Sequence, residues 1–566
     1  MPSCARAPFA AVDSGTAAVL PCWSRAYLRR GTLRHLVGHD GIGSDLRVAA
    51  GLARSVPRFL RNPLTVSDAR RELASRLARR EHDFLAFARD AIYGYASSIY
   101  RQLLRHAGCE PGDLERLVRQ EGLEGALCEL LASGVHLTVD EAKGRRPVVR
   151  GSLVVEPASD MLLNPLAARH VPVASSGSRG AQSPLLMDLA FVRDQGVNVC
   201  LAVDAAGGSG WAKAVWEVPG GAALYRQLKL SSFGSRVARW FTQVDPRDPD
   251  VHPRYRWCHR VVRWASVAAG LPLPVPVYAP LDDSLPVARW LAEVVRRGGT
   301  PWVRTFPSSA VRACQAAVGA GIDLTGARFT VAGEPVTAAK LAAIRRSGAH
   351  VSPRYGTVET GSLAWGCLAP ESPDDMHVFH DLHAIVQPDD SPSLWVTSLR
   401  RSAPLVMLNV SMGDQATLRP RACGCPLEPL GWTTHVHGVV SREKLTAGGM
   451  TFYDTDVVRV LEQALPARFG GGPTDYQLVE EESESGEPVV RLLVHPAVGP
   501  LDPAQVAEAF LSALGGGSGA ERIMGTVWRD AGLLRVERRP PIAAASGKVL
   551  HLHVVRHLAL AAGVGV

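Results

Sequence analysis

Up to about Pro57 the chain mixes Ala, Gly and Arg, which predicts a loosely packed extension. From Ser67 to about Leu137 apolar residues recur at helical spacing. Leu73, Leu77, Phe84, Leu85 and Phe87 mark a first helix, with capping chemistry in Val66-Ser67-Asp68. Ile92, Tyr95, Ile99, Tyr100, Leu103 and Leu104 mark a second, ending near Gly108. After Gly151 short apolar runs alternate with helices. Val171–Ala174 leads into a Ser/Gly loop, and 185–192 is helix-like. Arg328–Val331 reads as a buried strand, Ala338–Ser347 as the helix after it, and Ala349-His350-Val351 as the start of another strand. This alternation predicts an α/β fold with a mainly parallel sheet covered by helices, and ligand loops at the carboxyl ends of the strands.

A boundary falls near Gly438 to Lys444. Beyond it the pattern is compact: a helix over 454–465, a Gly470-Gly471-Gly472-Pro473 break, and a hairpin of 476–479 and 489–494 around a polar, acidic turn. A helix over 503–514 and a strand over 533–536 complete a small α+β unit. The expected organisation is an extension over 1–60, a large domain over 61–437 and a small C-terminal domain over 438–566. At 566 residues the chain is too long for one small core.

Composition narrows the class. With 46% hydrophobic and 20% charged residues the chain is globular, and its 54 Gly and 40 Pro fit the turns of a large α/β enzyme. Basic and acidic residues interleave, so the net charge of +8 speaks for anionic ligands rather than a dedicated nucleic-acid binder. The most apolar long run, Trp264–Leu281, carries Pro272, Pro274, Pro276 and Pro280, which would break a spanning helix. No secretory signal is read at the start, and the 10 scattered Cys point to free thiols and a cytoplasmic protein.

Chemistry concentrates in five motifs. Ser175-Ser176-Gly177-Ser178-Arg179-Gly180 can turn backbone N–H groups and hydroxyls toward one point, as phosphate oxygens require, although it lacks P-loop spacing. Gly333-Glu334-Pro335 follows the buried strand, and Tyr355-Gly356-Thr357-Val358-Glu359-Thr360 follows the next. Gly413-Asp414 closes an apolar segment, and Ser546-Gly547-Lys548 lies near the C-terminus. Each alone also reads as a turn, an exposed carboxylate or a solvated lysine.

In this order the motifs resemble the adenylate-forming superfamily of acyl-CoA synthetases, luciferase and peptide-synthetase adenylation domains. The phenylacetate–coenzyme A ligase-like branch looks closest, on the helix from Tyr100 to Gly108 and Asp113-Leu114. The resemblance covers roughly Tyr100 to the C-terminus. It implies a large multi-sheet N-terminal domain and a small mobile α+β C-terminal domain, with the active site between them. It also implies ATP-dependent activation of a carboxylic acid as an acyl-adenylate, followed by transfer to a thiol, that of coenzyme A. Transfer to an acyl carrier protein or an amine is the alternative, as is a catalytically weakened relative that binds a nucleotide or acyl ligand. The partners are small molecules, with no nucleic acid and no membrane, and the chain is expected as a monomer or homodimer.

The resemblance also distributes roles. Ser175, Ser176, Gly177, Ser178, Arg179 and Gly180 would cradle the departing phosphates. Gly333, Glu334, Pro335 and Tyr355 would frame the adenine, with Gly356 and Thr357 beside the nucleotide. Glu359 would hold Mg²⁺, a hard cation suited to a carboxylate. Asp414 would accept hydrogen bonds from the ribose hydroxyls, with Arg442 near the ribose. Lys548 would place positive charge between the carboxylate and the α-phosphate, and Lys444 would be the hinge. Two departures stand out: the family's Thr-Thr-Gly-Lys is here Ser178-Arg179-Gly180-Ala181, and its threonine before the glutamate is Val358. Thr357 or Thr360 is the candidate substitute for that hydroxyl.

Cys367, His377, Cys423 and Cys425 form a further candidate set, because three thiolates and an imidazole suit structural Zn²⁺. Spacing alone favours ordinary reduced cysteines; the branch resemblance, in which a similar Cys…His and Cys-x-Cys pattern recurs, implies zinc. His551, His553 and His557 read as a solvated face of a C-terminal helix, and Trp211, Trp216, Trp240 and Trp257 as core rather than an aromatic pocket.

Overall fold

The computed structural model describes residues 41–158, 160–168, 170–174, 184–218, 221–247, 253–388, 391–441, 445–447, 450–452, 454–482, 488–515, 534–544 and 547–555. A 12-stranded sheet organises most of it. Six neighbouring strands are mutually parallel, in the order His350–Thr357, Arg328–Val331, Pro301–Thr305, Ala212–Glu217, Val237–Thr242, Pro276–Tyr278. The other half is antiparallel: Gly361–Gly366 pairs with His350–Thr357, and Met376–Val378, Thr434–Ser441, Val410–Pro420, Ser393–Ser398 and His383–Val386 follow outward. The sheet is therefore mixed, where the strand–helix alternation predicts a mainly parallel one. The alternation ends near residue 350, and short turns then join antiparallel neighbours.

Successive side chains on a strand face opposite ways, and the parallel half sorts its apolar residues accordingly. Ala214, Trp216, Phe241 and Val303 enter one core with the helices Leu285–Arg296, Pro307–Gly319 and Ala338–Arg345. Val215, Trp240 and Trp302 enter the other, with the helices Val66–Ala78 and Leu189–Ala205. Trp216 and Trp240 are thus core, as expected; the side chain of Trp257 lies outside the described residues.

Several local expectations are revised. The helix Gly41–Arg61 is packed, not loose: Leu52, Val56 and Leu60 are each 0% exposed, and burying such side chains contributes roughly 1.5–3 kcal/mol apiece. The cap of the helix Val66–Ala78 is Thr65, which forms a reciprocal box with Asp68. Ile92 closes the preceding helix in a π turn, and the next helix spans only Ile99–His106. Residues 184–187 form a strand paired with Val171–Ala174, and the helix starts at Leu189 after the Asp188 cap. A hydrophobic run cannot by itself distinguish the two forms, and the hairpin partner decided it.

The C-terminal unit has its own core. Its four-stranded sheet runs Leu534–Arg538, Pro488–Val494, Tyr476–Glu482, Leu552–Val555, backed by a helical stretch over 454–469 and the helix Pro503–Gly515. The strand Leu552–Val555 replaces the expected C-terminal helix. His551 and His553 are buried at 8% exposure rather than solvated, and His557 lies outside the described residues.

A buried ionic network joins this unit to the helix Ala338–Arg345 that covers the large sheet. The Glu462 carboxylate meets Lys340 Nζ at 2.9 Å, accepts from His551 Nε2 at 2.5 Å, and accepts from the Thr337 hydroxyl. Burial pushes the Glu462 carboxyl up, but the Lys340 charge and the His551 and Thr337 hydrogen bonds outweigh it and hold it at about 2. Its contribution is therefore complete above the ordinary carboxyl value of about 4.3 and is lost as pH falls through about 2. Removing one partner of a buried pair costs about 3–5 kcal/mol. E462Q is expected to expose the segment before Asp454 to limited proteolysis at neutral pH, while the wild-type contact survives at pH 4.

Candidate functional site

The carboxyl ends of two adjacent parallel strands carry the first group of residues. Gly333 turns the chain after Arg328–Val331 at φ 87°, and a Cβ there would stand 3.2 Å from both Lys548 Cε and the Phe306 ring. Glu334 is 9% exposed and accepts three hydrogen bonds, from Ser308 N at 2.9 Å, Ser308 Oγ at 2.7 Å and Val549 N at 3.0 Å. The last donor belongs to the C-terminal unit, so this carboxylate sets the residue next to Lys548.

Lys548 Nζ stands 5.9 Å from the Phe306 ring centroid. Burial lowers its basicity, Arg226 lowers it further, and Glu334, Glu359 and Asp414 act in the opposite sense. The lysine from one end of the chain therefore shares one electrostatic neighbourhood with three carboxylates singled out from the sequence. Asp414, on the antiparallel strand Val410–Pro420, accepts from Tyr355 Oη at 2.7 Å. Burial, then the Asp414 charge and hydrogen bond, hold the Tyr355 phenol well above its usual value, so it remains a donor.

The turn that presents Glu359 is rigid. Thr357 and Thr360 bridge through their hydroxyls at 3.1 Å, and each accepts the other's backbone N–H at 3.1–3.2 Å. Gly356 is required beneath it, since a Cβ there would lie 2.0 Å from the Gly361 carbonyl oxygen. Of the two candidate substitutes for the missing hydroxyl, Thr360 is fully buried and only Thr357 is partly exposed. Val358 and Glu359 border a cavity of about 110 Å³ lined also by Leu163, Leu185, Leu405 and Met407.

The Cys/His set converges on the opposite side of the Gly361–Gly366 strand's end. His377 Nδ1 donates to Trp432 O at 2.6 Å, which leaves Nε2 facing Cys425 Sγ at 3.2 Å and Cys423 Sγ at 3.6 Å. Each sulfur accepts a backbone N–H: Cys367 from Ala369 at 3.3 Å, Cys423 from Cys425 and Cys425 from Leu427 at 3.4 Å. These donors oppose burial, which still raises the Cys367 and Cys423 thiols, whereas Cys425 is held below its ordinary value. The structure adds His435, which the sequence reading missed. Its ligand atom and those of Cys367, His377 and Cys423 lie within 4.8 Å of one another. His435 is the registered strand partner of His377, and Asp375 meets its Nδ1 at 2.7 Å, the carboxylate support typical of metal-binding imidazoles. The signal was Thr434-His435-Val436-His437, which puts His435 on the face of a strand that begins just beyond Cys-x-Cys. This donor set can hold a metal ion.

No family model matches the chain, and no curated protein matches it. Among solved structures, it is similar to a 2-hydroxyisobutyryl-CoA ligase captured after adenylation with 2-HIB-AMP, at 16% identity over 88% of this chain and 91% of that one, TM-score 0.50. A second crystal structure of that ligase, with R3-HIB-AMP, gives 16% identity over the same shares and a TM-score of 0.47. The O-succinylbenzoate coenzyme A synthetase of Bacillus subtilis, with ATP and magnesium, gives 14% identity over 68% of this chain and 70% of that one, TM-score 0.38. The chain has the adenylate-forming fold.

Within this adenylate-forming fold, Gly333, Glu334, Pro335, Tyr355, Gly356, Thr357, Glu359, Asp414 and Lys548 all gather on one side of the sheet end. Ser175–Gly180, Arg442 and Lys444 lie outside the described residues, although the strand Val171–Ala174 that precedes the first of these is in place. The sequence reading missed Ser308, whose N–H and hydroxyl fix Glu334 from the first turn of the helix Pro307–Gly319. No helix among the described residues is long and apolar enough to cross a membrane.

Proposed function

We propose that the protein activates a carboxylic acid as its acyl-adenylate with ATP and Mg²⁺ and passes the acyl group to a thiol, that of coenzyme A. The observation that carries this reading is Lys548, brought by the C-terminal unit beside Phe306 through the Val549–Glu334 hydrogen bond and into the field of Glu334, Glu359 and Asp414. The solved ligase of the same fold that holds an acyl-adenylate supports it.

The residues divide the chemistry as follows. The substrate carboxylate attacks the α-phosphorus of ATP and pyrophosphate leaves, so charge builds on the phosphate oxygens. Lys548 offers a cation at that point, held by the contact between Val549 and Glu334 rather than by its own flexible stem. Asp414, oriented by Tyr355, accepts from ribose hydroxyls. Glu359, on its threonine-braced turn, would hold Mg²⁺, which neutralises phosphate charge when bound. The Ser175–Gly180 loop would receive the pyrophosphate, and Gly333, which lets the Lys548 stem and the Phe306 ring close on the backbone, would lie beside the adenine. The segment over 438–453, with Lys444 as pivot and Arg442 near the ribose, would let the small domain move between the half-reactions. Val358 and Ala181 remove a hydroxyl and a cation from the family pattern, and Thr357 and Arg179 are their replacements in this reading.

Cys367, His377 and Cys423 would hold a structural Zn²⁺, with Cys425 or His435 completing the tetrahedron, and this supports the phenylacetate–coenzyme A ligase-like branch. K548A is expected to abolish acyl-adenylate formation while leaving ATP affinity within a few-fold; unchanged pyrophosphate release in that variant would sink the assignment. Metal analysis of the purified protein should return about one zinc per chain. C423S should lose that zinc and unfold at lower temperature, and a metal-free wild type of unchanged stability would refute the zinc site.

A further inference from the structure

Behind the turn that carries Glu359, four cations face one another in the interior. Lys229 is 1% exposed and Arg304 2%, Arg354 is buried, and Arg226 is nearly so. Lys229 and Arg226 lie on the helix Gly221–Ser231, Arg304 on the strand Pro301–Thr305, and Arg354 on His350–Thr357. Lys229 Nζ and Arg354 Nη1 both donate to Ser362 Oγ, at 3.3 and 3.0 Å. Ser362 stands three residues beyond Glu359, on the adjacent strand. Arg226 reaches the field of Lys548. The cluster thus begins at the proposed reaction centre and extends inward.

Its charge is not balanced among the described residues. Among the described residues Glu217 is the carboxylate that meets the group, through Arg226. Both terminal nitrogens of Arg304 and the Tyr225 hydroxyl are buried without a hydrogen-bond partner among the described residues. Aromatic faces supply part of the compensation: Lys229 Nζ is 4.6 Å from the Tyr225 ring, and Arg304 is 5.9 and 5.7 Å from Trp302 and Trp365. Cation–π contacts offset only part of the cost of burying each ion. Burial and mutual repulsion accordingly push Lys229 and Arg226 well below their ordinary values and Arg304 to about 9. An arrangement of this kind is completed by an anion.

We propose that Arg226, Lys229, Arg304 and Arg354 bind a second carboxylate on the acid substrate, so that the protein activates dicarboxylic acids. This rests on the adenylation reading for the first carboxylate, the one Lys548 serves. A phosphate of ATP is the other oxyanion that could fill the cluster. The helix start at Gly221 abuts the backbone of Pro172 and Val173, just before the Ser/Gly loop, whereas Lys229 is eight residues further on, about 12 Å along the axis. Placement therefore favours the acid over the phosphates.

Pyrophosphate release by the full-length protein is measured with α,ω-dicarboxylates from succinate to suberate and with isophthalate, each against its monocarboxylate of equal carbon skeleton. At least one dicarboxylate is expected to exceed its partner about 100-fold in kcat/KM, the scale of charge-assisted hydrogen bonds lost in the partner. R304M should erase that preference while leaving the Kd for ATP within two-fold, and R304K should restore part of it. If R304M does not fold, K229M is read in the same way. Monocarboxylates turned over as well as or better than dicarboxylates, or a loss in R304M that falls on ATP instead of the acid, would overturn the proposal. Equilibrium binding of the same acids without ATP separates the two readings. Dicarboxylate binding that R304M removes, with no pyrophosphate released from any acid, retains this site and refutes adenylation; monocarboxylate-dependent release that R304M leaves unchanged does the reverse.

Discussion

The Glu334 carboxylate is the joint on which the arrangement depends. It is held from below by the N–H and hydroxyl of Ser308 and from above by the N–H of Val549, so one buried acid links the parallel sheet to the last strand region of the chain. A carboxylate that accepts three hydrogen bonds loses little by being buried, because its lone pairs remain satisfied. The consequence falls on the neighbour: a lysine side chain has four rotatable bonds, and fixing the backbone at Val549 removes much of the search that would otherwise scatter Lys548. Glu462 repeats the device some distance away, with Lys340 and Thr337 at the start of the helix Ala338–Arg345 and His551 just before the strand Leu552–Val555. Two buried carboxylates, one from each body, thus fix the docking register of this arrangement.

How far this could be read in the sequence differs by residue. Glu334, Tyr355, Glu359, Asp414 and Lys548 were legible because they sit in short motifs whose order along the chain is distinctive. Their mutual approach follows from the sheet topology, which brings Asp414 from an antiparallel strand against Tyr355 on a parallel one. The partners that hold them were not legible. Ser308 is one hydroxyl in a helix start among many, and Glu462 lies in a plain amphipathic stretch. His435 was hidden for another reason: in the sequence it is paired with the neighbouring His437, but strand register brings it against His377 instead.

The errors share a cause. The stretch from Leu185 was read as helix from its apolar content and the histidines from His551 as a face of a helix, yet residues 184–187 and 552–555 are strands whose partners lie elsewhere, at Val171–Ala174 and at Tyr476–Glu482. Local pattern reports burial, whereas pairing is a tertiary fact. The same limit applies to the mixed sheet. Its parallel half announces itself through helices between strands, and its antiparallel half, lacking them, leaves no comparable trace.

The cation cluster and Lys548 are electrostatically one system, joined by Arg226. With the cluster unbalanced, Arg226 opposes the charge on Lys548, and burial opposes it further. An anion seated among Arg226, Lys229, Arg304 and Arg354 would offset that repulsion at a distance over which a low-dielectric interior transmits charge well. Under the proposed reading, the lysine is then most strongly cationic when an acid with a second carboxylate fills the site, and least so when the site holds a neutral tail. Recognition of the far end of the substrate would therefore act on the chemistry at the near end through charge alone, with no movement of the backbone required.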